Sequence, residues 1–163
     1  MKQILQVVTL ATVTLWATAG LAQSTNEALV TDLIGALRSG NEAAVQALFI
    51  SETELVRSVM EDAFPDDPKR KASNRQSMEK GGKERLVKAL RQGKNEAWAK
   101  MSAGNMNWGA AQIIEFTPAF NRSDGIEKTD WVRVVLAVGE QQYVLKLHQT
   151  RKTADGWRLV FGG

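Results

Sequence analysis

The chain has 163 residues, of which 44% are apolar and 24% charged, with no cysteine, one histidine and a formal net charge of +3. That is enough apolar material for one packed domain and too much for a disordered segment. The lack of cysteine excludes disulfide frameworks, thiolate metal sites, cysteine nucleophiles and a cysteine-borne lipid; with His148 as the lone histidine, neither a metal nor a cofactor is expected.

Met1 and Lys2 bring positive charge, and Ile4 to Leu21 contains no charged residue. The run closes on Gly20-Leu21-Ala22, which sets small side chains three and one residues before a cut. This is the pattern of a secretory signal cleaved after Ala22, leaving one domain over residues 23–163 in the periplasm or outside the cell. The other reading of the segment is an uncleaved anchor. Gln6, Thr9, Thr12, Thr14 and Thr18 dilute it and no basic stop-transfer cluster follows, which favours cleavage.

Ser24-Thr25-Asn26-Glu27 has the S-x-x-E form of a helix start, and Leu29, Leu33 and Leu37, with Val30 and Ile34, line one face of the helix that follows. Ser39-Gly40 ends it, glycine taking the left-handed conformation at little cost, and Asn41 caps a short helix carrying Val45, Leu48 and Phe49. Ser51 and Glu54 repeat the capping box before Leu55, Val56, Val59 and Met60; Pro65 stops that helix, and residues 66–71 read as a polar loop. Helical spacing returns at Leu86, Val87, Leu90, Ala97, Trp98 and Met101, with Gly81-Gly82 and Gly93 as expected breaks. Charge changes sign along these elements: seven acids and one base from Glu42 to Asp67, then eleven bases and three acids from Lys69 to Lys100. In an exported protein that basic segment 69–100 would meet an anionic envelope component rather than nucleic acid.

From about residue 108 the apolar period becomes two, which predicts strands. Ala110 to Phe116 forms the first, ending before Pro118, and a loop runs to Thr129. In Trp131–Val138 the even positions Val132, Val134, Leu136 and Val138 are apolar; in Tyr143–Thr150 the odd ones Tyr143, Leu145 and Leu147 are. A two-residue turn at Gly139-Glu140 pairs even with odd, setting Leu136 opposite Tyr143, Val134 opposite Leu145 and Val132 opposite Leu147. A last strand presents Trp157, Leu159 and Phe161 inward, with Ala154-Asp155-Gly156 as an odd-length loop that restores the parity. Helices first and a strand meander afterwards define an α+β domain.

Ala28 to Phe49, with its amphipathic helix, Gly40-Asn41 pair and short helix ending Leu48-Phe49, resembles the opening of the nuclear transport factor 2-like superfamily. Asp155-Gly156-Trp157-Arg158-Leu159-Val160 resembles its closing strand. The resemblance covers about a third of the mature chain and implies a cystatin-like cone, in which helices wrap a curved antiparallel sheet around an apolar cavity lined by Val134, Leu136, Tyr143, Leu145 and Trp157. It also implies two functional readings. The first is an exported non-catalytic binding or interaction module, holding a small apolar ligand in the cone or a partner, such as a second copy, on the outer sheet face. Strand alternation places Trp131, Arg133, Lys146, His148 and Arg158 on that face. The second is a cofactor-free isomerase, dehydratase or cyclase using Tyr143 and a carboxylate. Asp130 and Glu115 are the acids nearest the sheet, at polar positions where they would be solvated. No phosphate loop, dinucleotide turn, nucleophile elbow or HExxH is present.

Overall fold

A computed structural model describes residues 25–161; the expected signal and Ser24 lie outside them, as does the side chain of Phe161. Helix α1 (Asn26–Arg38) is capped by Thr25, whose side chain accepts the Ala28 N–H, so the helix starts one residue later than a cap at Ser24 would set it. Asn41 caps α2 (Glu42–Ala47), and α3 (Glu52–Arg57) carries both halves of the Ser51/Glu54 capping box. A π-helical turn, Ser58–Asp62, follows α3.

The expected polar loop at 66–71 is instead the start of a helix. Asp67 accepts the Arg70 N–H and Pro68 takes the first helical position, where its missing donor costs nothing, so α4 runs Pro68–Ser77. It buries none of its residues and is held by polar contacts: Asn74 donates to the Val59 carbonyl within the π turn, and the Arg70 guanidinium lies 4.2 Å over the Phe64 ring. The break at Gly81-Gly82 is present as a second π turn, whereas Gly93 sits unbroken inside α5 (Lys83–Ala103).

Five strands follow: β1 (Gln112–Asn121), β2 (Lys128–Val138), β3 (Gln141–Leu147), β4 (Gln149–Thr153) and β5 (Gly156–Phe161). All pairings are antiparallel, in the order β1-β2-β4-β5, with β3 paired to the other end of β2. The architecture is therefore α+β, helices on an antiparallel meander. Strand β1 passes through Pro118 rather than ending before it, because an edge strand can lack one outward donor. The β2–β3 hairpin has the expected register, Leu136 to Tyr143, Val134 to Leu145 and Val132 to Leu147, around a turn in which Gly139 has φ +60°.

The expected strand Tyr143–Thr150 is divided at His148, where the inward face switches. Leu147 is buried before the break and Thr150 after it, while on β2 the switch falls between Val132 and Thr129. Parity is thus restored at His148, not in the last turn, where Thr153 simply opposes Gly156.

The main core packs Leu29, Leu33 and Leu37 of α1 against Val132, Val134, Leu136, Leu147, Trp157 and Leu159. A second, smaller core lies behind β5, where Val160 meets Ile50, Leu55 and Leu90. The free edge of β5 is closed by residues 48–50: Ile50 N–H donates to the Leu159 carbonyl at 2.8 Å, and Leu159 N–H to the Leu48 carbonyl at 2.9 Å.

Candidate functional site

Three of the expected cone-lining residues, Val134, Leu136 and Trp157, are at most 4% exposed, packed beneath α1. These three positions are therefore filled core beneath α1 rather than an open cavity. Tyr143 and Leu145, half-buried, sit at the margin of the core and line a recess of about 240 Å³ at its open end. Its other walls are Lys100, Met101, Gly104, Met106 and Trp108 from the end of α5 and the segment after it, with Leu136 and Val144 from the sheet.

The indole N–H of Trp108 donates to the Met101 carbonyl at 3.1 Å, which orients the ring against the end of α5. Two methionines and a tryptophan give the recess adaptable, polarisable walls, and Lys100 is the one charged residue among those lining it. The sequence reading missed Lys100, Met101, Met106 and Trp108 as a group, since no period links a helix end to the coil that follows. The Tyr143 hydroxyl donates to Gln141 Oε1 at 2.5 Å. The two acids considered for catalysis are engaged elsewhere: Asp130 accepts from Asn121 at 2.9 and 3.0 Å, and Glu115 pairs with Arg133.

On the sheet face away from α1, Trp131, Lys146 and His148 are exposed and Arg133 partly so. Arg158, expected beside them, is only 9% exposed and donates to its neighbour's carbonyl, that of Trp157. Arg158 lies on the side of the sheet away from α1, as expected, but along β4–β5 that side is covered by helices, and Arg158 pairs across the strands with Arg151, which is also buried.

Arg151 donates to Ser58 Oγ at 3.1 Å, while its Nε has no hydrogen-bond partner. Burial lowers its pKa, against the nearby charges of Asp124 and Asp62. Beside it, Asp124 and Lys128 form an ion pair at 2.6 Å. Several bases of the 69–100 segment serve the fold itself: Arg91 pairs with Glu52 at 2.5 Å, Arg70 covers Phe64, and Lys94 lies 5.7 Å from the Phe49 ring centroid. A second groove, of about 370 Å³, separates α3 from α5; Val56, Met60 and Val87 line it among Glu52, Arg57, Glu61 and Lys83, so its charges are of both signs.

No family model matches the chain, and no curated protein matches it. Among solved structures, a cystatin-like protein from Ruminococcus gnavus is similar at 15% identity and a TM-score of 0.45, over 83% of this chain and 40% of that one. The chain thus spans less than half of that neighbour's length. The α+β class rests on the elements themselves.

Proposed function

We propose that this chain is an exported, non-catalytic binding module of the nuclear transport factor 2-like kind, and that it binds through the recess at the open end of its packed cone. The observation that carries this reading is the recess lining: Met101, Met106, Trp108, Leu136, Tyr143 and Leu145 around a single charge, Lys100. Such a wall takes an apolar group that ends in at most one anionic or hydrogen-bonding atom, because an unpaired charge set among apolar walls would cost several kcal/mol. The catalytic alternative draws no support from the geometry, since the Tyr143 hydroxyl is directed to an amide oxygen and Asp130 and Glu115 are committed to Asn121 and Arg133.

The test is a titration of the purified protein with octanoate, read on methyl-labelled methionine. Shifts confined to Met101 and Met106, with Met60 and Met78 unmoved, support the recess; uniform shifts or none overturn it. Lys100→Glu should weaken the interaction several-fold by repelling the carboxylate. The export component is tested separately by intact mass: protein recovered from the cell envelope should begin near Gln23, and the full 163-residue chain held in membranes would replace export with anchoring.

A further inference from the structure

The sheet ends in three edges, and they are treated differently. Strand β1 is interrupted by register shifts at Ile113/Glu115 and Ala119/Phe120 and carries Pro118, devices that blunt an edge against pairing. The edge of β5 is closed by residues 48–50. Strand β3 has neither protection. Its pairing with β2 runs without a shift from Gln141 to Leu147, it contains no proline, and among the described residues no backbone hydrogen bond links it to anything but β2.

The turn fixes which groups of β3 are available. In a two-residue hairpin the residues flanking the turn are a hydrogen-bonded pair, here Val138 and Gln141, and the pattern alternates along the ladder. Tyr143, Leu145 and Leu147 therefore direct their N–H and C=O groups toward β2, and Gln142, Val144 and Lys146 direct theirs outward. That outward row runs alongside the recess, which Tyr143, Val144 and Leu145 border.

We infer that the β3 edge accepts an added strand from an extended peptide, whose alternate side chains enter the recess. The inference deepens the binding reading above by naming the class of partner. Backbone pairing would supply affinity, and the recess specificity, in the manner of strand addition to exposed sheet edges. The recess, at about 240 Å³, is smaller than the roughly 300–1,000 Å³ of free-ligand sites and fits one or two apolar side chains. Charge decides the rest of the partner's chemistry. Lys100 stands in the recess wall, and Lys146 and His148 are exposed on and just after β3, so the peptide should carry acidic residues flanking its apolar ones. A second copy of this chain would bring the same cations to the edge, which favours an acidic partner over self-pairing.

The probe is a capped heptapeptide, Asp-Thr-Leu-Thr-Val-Thr-Asp, added to the isotope-labelled protein. Binding should slow hydrogen exchange at the amides of Gln142, Val144 and Lys146 and leave those of β1 unchanged. Gln142→Pro, at an outward-directed position that does not line the recess, removes one outward donor without removing a β2–β3 bond and should weaken the peptide at least tenfold while octanoate still shifts Met101 and Met106. Should that variant fail to fold, exchange in the unaltered protein decides the point. Absence of protection at the three amides, with octanoate still bound, overturns the added strand and leaves the recess reading standing; loss of both overturns both. Protection that appears without peptide and rises with protein concentration assigns the edge to a second copy, and overturns the peptide.

Discussion

The two halves of the sheet are built on different terms. Around β2 and β3 one face meets α1 and the other carries the exposed Trp131, Val144, Lys146 and His148, with only Val135 of β2 and β3 buried on it, so the two faces differ enough to be named from the sequence. Around β4 and β5 both faces are covered, α1 on one side and α3, the π turn and α5 on the other, and the second face holds Arg151 and Arg158 beside Val160. An exposed face tolerates almost any polar residue. A covered one makes each of its side chains answer for its volume and its hydrogen bonds.

The largest difference should come from truncating a residue of the covered half. Leu159, 1% exposed between α1 and β4, should cost about 2–5 kcal/mol as Leu159→Ala, through lost burial and a cavity. Denaturant midpoints measure it. A loss under about 1 kcal/mol would mean that α1 does not clamp β5 and that the two halves are alike.

A smaller effect sharpens the comparison through pH. The partly buried Asp124 carboxyl would have its pKa raised by burial, but the Lys128 and Ile126 hydrogen bonds and the charges of Lys128 and Arg151 outweigh this and hold it below 3.8. A carboxyl with a lower pKa in the folded than in the unfolded state adds stability above its unfolded pKa and loses it as pH falls through the folded one. Stability should therefore decline with acidification below about pH 4, with local exchange rising first around β4. Lys128→Met should flatten that decline; an unchanged slope would show that the Asp124 cluster does not hold this half together.

The smallest effect is expected on the exposed face. Lys146→Ala, at an exposed position of β3 with no ion pair among the described residues, should change stability by less than about 0.5 kcal/mol. A cost comparable to that of Leu159→Ala would mean that the exposed face of β3 is covered in solution.

The same division governs how much could be read from the sequence. Alternation in Val132–Val138 and Tyr143–Leu147, with a glycine turn between, gave the hairpin register residue by residue. The method fails at His148, because a face switch leaves the residue types unchanged and alters only their partners. Arg158 was expected to be exposed for a different reason: its alternation relative to Trp157 was correct, but the helices that cover its face come from a distant part of the chain. Helix α4 was legible in principle, as Asp67-Pro68 is a cap followed by a first-turn proline, but its lack of an apolar stripe hid it. The recess had no signal of its own. Its walls are contributed by a helix end, a coil and a hairpin that only the tertiary fold brings together.

The seam between residues 48–50 and β5 sets an order of events. Leu48 and Ile50 are made early, but the strand they bond to is completed roughly a hundred residues later, so the second core cannot close on a partial chain. Contacts that span such a separation delay folding, since the chain must first give up the freedom of a long loop. For a polypeptide that is to be threaded across a membrane, as proposed here, that delay is useful. The segment that would lock residues 48–50 in place arrives long after them, and until it does their hydrogen bonds to β5 cannot resist the chain's being drawn through.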